Sequence, residues 1–140
     1  MNLKTVIEFD IRFSETDAMG VVWHGNYLKF FEDGREAFGK QYGIEYLDIY
    51  HKGYFTPIVK SEINHKSPIN YGERAKIITT LIPSKAAKII FSYEIINLSS
   101  GKVSAIGQTI QIFLNVKTRA LELLTPEFYE TWEKKMGIKI

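Results

Sequence analysis

Hydrophobic and polar residues alternate near the start of the chain. Over residues 5–13, Ile7, Phe9, Ile11 and Phe13 fall on one face, and charged residues occupy most of the other. A period of two is typical of a strand with one buried face. We therefore predict a half-buried strand over this segment, with all four apolar side chains directed into a core.

The spacing of apolar residues then changes to three and four, which predicts an amphipathic helix over residues 25–41. The apolar stripe of this helix consists of Tyr27, Phe30, Phe31, Gly34, Ala37, Phe38 and Tyr42. Asn26 or His24 is predicted to cap the start, and Gly43 is suited to the left-handed backbone that commonly ends a helix. The small residues on the stripe would allow a sheet to approach the helix closely.

Strand patterns dominate the second half of the chain, which is rich in β-branched and aromatic residues. Strands are predicted at residues 54–66, 75–82, 88–97 and 102–115, with a short additional strand at 120–124. Turns are predicted at residues 70–73 and 98–101. Thr125 is expected to cap a short C-terminal helix that has Pro126 at its first position.

Strand, long helix and strands in series predict an α+β fold, in which one curved antiparallel sheet of five or six strands wraps one long central helix. Residues 1–140 are expected to form a single domain, because 140 residues with 45% hydrophobic content suffice for one core. Such a sheet leaves an edge strand open. Pairing of two edges in a homodimer would cover it.

Charge and composition exclude several classes of partner and chemistry. The net charge of +2 is balanced and well mixed, so neither nucleic acid nor an anionic membrane is the expected partner. The absence of cysteine excludes disulfides, thiolate metal sites and a cysteine nucleophile. No apolar run approaches the ~20 residues that span a bilayer, and the first residues lack the apolar run of a secretion signal. A cytoplasmic location is expected.

Between the first strand and the helix lies an acidic loop punctuated by glycine. It contains Asp17 and Gly20 and leads directly into the helix. A carboxylate beside the positive end of a helix is a plausible hydrolytic site that needs neither metal nor cysteine. The alternative is that Asp17 only forms a turn with its own backbone or caps the helix.

The string Thr16-Asp17-x-x-Gly20-Val21-Val22-Trp23-His24-x-x-Tyr27, with Thr56-Pro57-Ile58-Val59 further on, resembles the hotdog-fold acyl-CoA thioesterases. The resemblance is to the 4-hydroxybenzoyl-CoA thioesterase family and its Tol–Pal-linked acyl-CoA thioesterase branch. It covers roughly residues 5–130. It implies a hotdog fold, a homodimer or dimer-of-dimers homotetramer, active sites at the subunit interface, and hydrolysis of a thioester to a carboxylic acid and free CoA.

The resemblance assigns Asp17 as the catalytic carboxylate, either as a nucleophile that forms a mixed anhydride or as a general base for water. The sequence leaves both routes open, because a thiolate leaves readily without acid assistance. Some hotdog thioesterases use a helix glutamate instead. Here Glu32 lies among other charged residues, so a solvated helix face is the preferred interpretation.

At the position of His24 the family supplies a backbone N–H that is aimed at the thioester oxygen. The imidazole could also orient water or Asp17, or His24 could be a cap or packing residue. Gly20 is expected to permit a turn or close approach of substrate. Trp23 is a candidate for the pocket or the dimer interface, and Tyr27 for the acyl pocket or the core.

The family places basic residues for CoA phosphates in the turn between the third and fourth strands. Lys85 and Lys88 are the candidates here, although Ala86 and Ala87 stand where the aryl-CoA members have arginine. This departure leaves an acyl-carrier-protein substrate open, and a non-catalytic acyl-CoA-binding or interaction module is a further alternative. The lysines could equally be solubilising charges.

No metal and no separate cofactor are expected, since coenzyme A is part of the substrate. His51 and His65 do not share a ligand-like spacing with His24 or with a carboxylate cluster. The chain also lacks a Gly-x-Ser-x-Gly elbow, a phosphate-binding glycine loop and a dinucleotide fingerprint. Serine hydrolase, kinase and Rossmann oxidoreductase functions are therefore disfavoured.

Overall fold

The computed structural model describes residues 2–138, and its main element is a five-stranded antiparallel sheet. The strands lie in the order β1-β4-β5-β6-β3, where the ranges are β1 (Lys4–Asp10), β3 (Ile58–His65), β4 (Arg74–Ile82), β5 (Lys88–Asn97) and β6 (Val103–Ile112). A small second sheet pairs β2 (Tyr54–Phe55) with β7 (Leu114–Asn115). The helices are α1 (Asn26–Tyr42), α2 (Tyr46–His51) and α3 (Glu127–Lys135).

The long helix α1 packs its apolar stripe against one face of the sheet. Alternate residues of β5 are buried, as expected for a strand with one face on a core. Phe31 of α1 stacks on Tyr93 of β5 with ring centroids 4.1 Å apart. A side chain at Gly34 would overlap the buried hydroxyl of Thr79, so the absence of a side chain permits this close contact between helix and sheet.

The sequence-based predictions of the mixed α+β architecture, the long helix and the main strands are confirmed. α1 begins and ends within one residue of the predicted 25–41, and Gly43 ends it with a left-handed φ of 69°. β5 has the predicted bounds, and the predicted turn at residues 98–101 connects β5 to β6. The predicted domain of residues 1–140 begins one residue before the described part of the chain and ends two residues after it.

The first strand is shorter than predicted. β1 ends at Asp10, and Phe13 begins a single 3₁₀ turn, Phe13–Glu15. The alternation therefore stops before Phe13, whose side chain is 76% exposed instead of buried and packs edge-on against Tyr71.

Three predicted strand segments also differ from the structure. The segment 54–66 is divided into β2 and β3 at Thr56 and Pro57, and 102–115 is divided into β6 and β7 at Phe113. Proline cannot donate to a strand ladder, which accounts for the first break. At 120–124 only Leu121 forms an isolated bridge, so this prediction was wrong.

Helix ends were predicted less well than helix positions. α1 starts with Gly25 as its cap and has no capping side chain, so neither Asn26 nor His24 caps it. α3 starts at Glu127, so Pro126 is the cap and Thr125 lies outside the helix. The short helix α2 was not predicted; the Asp48 carboxylate accepts the N–H of Glu45 at its start.

The edge strand β3 is more exposed than the other long strands. All of its residues are exposed except the half-buried Ile63. Its inner edge pairs with β6, and Val59 forms an irregularity between the paired residues Ile58 and Lys60. The outer edge of β3 has no neighbouring strand among residues 2–138. Backbone donors and acceptors there are available for another strand.

Candidate active site

Asp17 stands at the first corner of a tight turn between the 3₁₀ turn and α1. Its backbone carbonyl accepts the N–H of Gly20 at 3.0 Å, and its N–H donates to Val21 at 2.8 Å. Its Oδ1 accepts the N–H of Met19 at 2.8 Å, which is the local turn contact considered for this residue. Gly20 has a φ of +76°, so the turn itself requires glycine.

The second carboxylate oxygen of Asp17 has a different environment. Within residues 2–138, Oδ2 takes part in no hydrogen bond and no ion pair. The residue is half-buried, and Tyr71 donates its N–H to Gly20 on the neighbouring side of the turn. A carboxylate with one oxygen fixed and the other free is held in position and can still react.

The start of α1 has backbone N–H groups without an acceptor. Asn26 donates its N–H to Trp23 at 2.9 Å, and Tyr27 donates to His24 at 3.3 Å. In contrast, the N–H groups of His24 and Gly25 meet no acceptor within the described chain. Two unpaired donors at the positive end of a helix suit a partially negative oxygen.

Trp23 and His24 lie on the surface beside these donors. Trp23 is 50% exposed, and its ring occupies the space that a side chain at Gly25 would need. The His24 ring lies 4.9 Å from that of Trp23. In the described part of the molecule the imidazole of His24 has no hydrogen-bond partner, so the structure assigns its side chain no fixed contact with Asp17.

Tyr27 belongs to the core. It is 3% exposed, and it packs edge-on against Phe30 at 5.9 Å and against His65 of β3 at 4.9 Å. Burial raises the pKa of its hydroxyl. Tyr27 therefore packs in the core of the single chain, and its contact with the acyl pocket stays a prediction.

Lys85 and Lys88 are exposed at the turn between β4 and β5. They form no ion pair within residues 2–138, so both ammonium groups are available to an anion. This turn lies at one end of the sheet. Asn97, the last residue of β5, lies at the opposite end, near the level of the loop that contains Asp17.

A cavity of about 500 Å³ opens beside the C-terminal half of α1. Its walls are mostly apolar and include Phe38, Ile44, Ile58, Ile89, Phe91 and Tyr129. None of the residues predicted for the Asp17 site lines this cavity. Glu32, the helix carboxylate considered as an alternative, does line it, and its side chain is 69% exposed. The lining residues of α1, from Glu32 to Gly39, follow Asn26 by about 9 to 20 Å along the helix axis, so the cavity is separate from the Asp17 loop within one chain.

One cationic group reaches into this cavity from α1. The side chain of Arg35 is only 16% exposed, and its Nη1 donates to the Tyr93 hydroxyl at 3.0 Å. That hydroxyl is also hydrogen-bonded to Thr109 at 2.6 Å. Burial raises the pKa of Tyr93 despite the opposing effect of Arg35. The cavity therefore combines apolar walls with one oriented guanidinium, as in many ligand pockets.

Two residues that hold the loop were not identified from the sequence. Glu15 is 6% exposed and binds groups from both ends of the loop, and Asn26 donates from its side chain to the Glu15 carbonyl. A serine or threonine three positions before Glu15 would have suggested a capping box, but that position is Arg12. The tertiary contacts had no other signal in the sequence.

Among residues 2–138, His, Asp and Glu side chains form no group of three or more that could hold a metal ion. Within the same residues, every helix is too short or too polar to cross a bilayer.

Comparison with known proteins agrees with this architecture. The chain is 33% identical over 130 residues to the putative acyl-CoA thioesterase YneP of Bacillus subtilis, a match that covers 91% of this chain and 94% of the relative. The DHNA-CoA thioesterase of Staphylococcus aureus has the same fold, with a TM-score of 0.82 and 29% identity over 98% of this chain and 96% of the other.

A 4-hydroxybenzoyl CoA thioesterase mutant, solved in complex with 4-hydroxybenzoyl CoA, superposes with a TM-score of 0.78. Its identity of 16%, over 92% of this chain and 97% of that chain, supports the shared fold alone. The predicted hotdog fold is thereby confirmed, whereas the Tol–Pal-linked branch stays a prediction. Residues 11–132 match the model of one family, and the chain belongs to that family, the Thioesterase-like superfamily.

Proposed function

We propose that the protein is an acyl-CoA thioesterase that hydrolyses a thioester to a carboxylic acid and free CoA. The observation that carries this proposal is the free Oδ2 of Asp17 in the same loop as two unpaired N–H groups at the start of α1. Membership of the Thioesterase-like superfamily and the similarity to an acyl-CoA thioesterase support the same reaction. A CoA thioester substrate also agrees with the cytoplasmic location expected from the sequence.

In the proposed reaction the carbonyl oxygen of the thioester binds the N–H groups of His24 and Gly25. These donors stabilise the negative charge that develops on the oxygen when the carbonyl carbon is attacked. Asp17 either attacks this carbon itself or removes a proton from a water that attacks. The first route gives an anhydride that water then cleaves, and the second gives the acid directly. Both consume one water and release the CoA thiolate.

The acyl group needs an apolar pocket, and the cavity beside the C-terminal half of α1 suits it in size and lining. Within a single chain this cavity and Asp17 are separate. We propose that a second copy joins them through its β3 edge, whose residues are exposed here except for Ile63. In a two-fold antiparallel pairing, the start of one β3 lies beside the end of the other.

This pairing has a direct consequence for the site. Ile58, at the start of β3, lines the cavity, and His65, at its end, contacts Tyr27 near the start of α1. The cavity of one subunit would therefore face the catalytic loop of its partner. The proposed assembly is a homodimer with composite sites, which can associate further into a homotetramer.

The proposed role of Lys85 and Lys88 is to bind CoA phosphates near the mouth of the cavity. The support is that both side chains are exposed and unpaired in the described chain, and that Ile89, the neighbour of Lys88, lines the cavity. A lysine binds phosphate as a point charge without the bidentate geometry of arginine. Because both ammonium groups are exposed, their binding of CoA phosphates should be sensitive to salt.

The test is a thiol-release assay over short-chain, long-chain and aryl acyl-CoAs, with Asp17→Asn beside wild type. Asparagine keeps the oxygen that accepts from Met19 and removes only the charge, so the turn should persist. We expect a rate loss of at least ~100-fold, or about 2.7 kcal/mol at the transition state. The matched control is Asp10→Asn, whose exposed carboxylate only pairs with Arg74.

Each other outcome has a definite meaning. Full turnover by Asp17→Asn would exclude the proposed mechanism, and loss of turnover in Glu32→Gln alone would move the reaction to the helix carboxylate. Binding of acyl-CoA without hydrolysis of any thioester would identify a binding module. Strong preference for an acyl-carrier-protein thioester over the acyl-CoA would identify the carrier-protein thioester as the substrate of the same hydrolysis.

A further inference from the structure

Glu15 is a buried carboxylate that the proposed reaction does not use. Its side chain is 8% exposed and lies under the loop that contains Asp17. Oε1 accepts the N–H of Arg12 at 2.7 Å, which fixes the 3₁₀ turn directly before Asp17. Oε2 accepts from Nζ of Lys29 on α1 at 3.0 Å. The carboxylate thus connects the start of the loop to the second turn of the helix.

The backbone carbonyl of Glu15 makes two further contacts on the other side of the loop. It accepts the N–H of Trp23 at 2.9 Å and the side-chain Nδ2 of Asn26 at 2.8 Å. These donors flank His24 and Gly25, the residues with the unpaired N–H groups. One residue therefore holds both the segment before Asp17 and the segment that carries the proposed oxyanion donors.

We infer that Glu15, Asn26 and Lys29 are positioning residues that set the geometry between Asp17 and the oxyanion donors. We call this set the Glu15 brace. The inference rests on the proposed function, because the brace matters only if Asp17 and the helix start act on the same carbonyl. Reactions that need two groups on one atom are sensitive to small displacements, and an error of about 1 Å can cost 10²-fold in rate.

The Glu15–Lys29 pair differs from the Glu36–Lys40 pair of α1. Glu36 and Lys40 are 71% and 63% exposed and lie 4.0 Å apart, as is typical of a solvated pair. Glu15 is buried, and its carboxylate is satisfied by one backbone and one ammonium donor. Lys29 is 50% exposed, so its loss leaves only the buried Glu15 carboxylate uncompensated, and the loop must then shift or admit water. Lys40→Met is consequently a matched control for Lys29→Met.

The test measures kcat and KM for Asn26→Ala, Lys29→Met, Lys29→Arg and Lys40→Met below their melting temperatures. Asn26→Ala removes one donor at the helix start without leaving a buried charge unpaired, which keeps the test valid if Lys29→Met folds poorly. We expect Asn26→Ala and Lys29→Met to lower kcat about tenfold with KM within about twofold of wild type. Lys29→Arg should restore most of the rate, and Lys40→Met should match wild type.

A combination with Asp17→Asn separates positioning from loss of stability. If the brace orients Asp17 against the N–H groups, Asn26→Ala should cost clearly less in the Asp17→Asn background than alone. Fully multiplicative losses would overturn the inference, as would brace variants that behave like Lys40→Met while Asp17→Asn is inactive. Wild-type turnover in Asp17→Asn would instead overturn the proposed function, so the two failures are distinguishable.

Discussion

In the proposed reaction His24 contributes to the site through its backbone. Its N–H is one of the two unpaired donors at the start of α1, while the imidazole is exposed and lies against Trp23. The neighbouring Gly25 has an ordinary helical φ of −64°, so a side chain there would displace the exposed Trp23 ring and would not strain the backbone. The proposed mechanism uses only the backbone N–H groups of these two residues and needs no reactive side chain at either.

For this reason His24→Ala should retain most of the activity. The substitution leaves the N–H in place, and we expect a loss in kcat/KM of less than about tenfold, well below that of Asp17→Asn. His51→Ala is the control, since His51 is exposed at the end of α2 and does not line the cavity. A loss equal to that of Asp17→Asn would show that the imidazole takes part in the reaction.

Individual residues differ in how far the sequence predicts them. The turn at Asp17 and Gly20 follows from local chemistry, because an aspartate bonds its own backbone and a glycine accepts a positive φ. The positions of Phe13 and Glu15 do not follow from local chemistry. A single 3₁₀ turn interrupts the alternation, so the apolar Phe13 is exposed and the charged Glu15 is buried. That exchange depends on Lys29 and Asn26, which are distant in sequence.

Among the elements, long periodic segments were predicted and short ones were not. α1 and β5 have strong patterns over many residues, so their bounds follow from the sequence. The breaks at Pro57 and Phe113 divide strands whose pattern continues across them. α2 has six residues, too few to show a period, and it depends on the Asp48 cap and on tertiary packing.

The C-terminal helix α3 contains a buried carboxylate that should destabilise the fold at neutral pH. Glu133 is 8% exposed, and burial together with Glu130 raises its pKa. The folded state therefore binds this proton more tightly than the unfolded state, so the contribution to stability is lost as pH rises through the folded pKa. The charged form is the one that burial penalises.

Glu133→Gln should accordingly raise the free energy of unfolding near pH 8. The gain should disappear as pH falls below the pKa of about 4.3 that an unfolded glutamate has, because wild type is then protonated in both states. Urea unfolding at a series of pH values measures this difference. Glu127→Gln, on the exposed side of the same helix, should show no such gain, and a gain independent of pH would refute the explanation.

At the scale of the whole molecule, the fold was predictable and the site was only partly so. The order of elements and the motif from Thr16 to Tyr27 indicated the hotdog fold, and the comparisons confirm it. The cavity could not be located, because its walls come from α1, α2, α3 and three strands that only folding brings together. The separation of the cavity from Asp17 likewise depends on three-dimensional placement.

Assembly through β3 is testable at the middle of the strand. In a two-fold antiparallel pairing centred between Ser61 and Glu62, a second acid at position 61 would oppose Glu62 of the other copy. Like charges directly opposite destabilise paired strands. Ser61→Glu should therefore shift the protein towards monomer in sedimentation experiments and lower its activity in parallel, whereas Ser61→Thr should do neither. A dimeric, fully active Ser61→Glu would disprove this interface.

The contact between Trp23 and Gly25 also supplies an optical signal. The chain has two tryptophans, and they differ in environment: Trp23 is 50% exposed beside the proposed oxyanion donors, whereas Trp132 is 7% exposed and donates to the carbonyl of Tyr42 at 2.8 Å. A dissolved quencher such as iodide reaches the first ring and not the second. The emission of Trp23 therefore reports directly on events at the loop, and that of Trp132 serves as an internal reference.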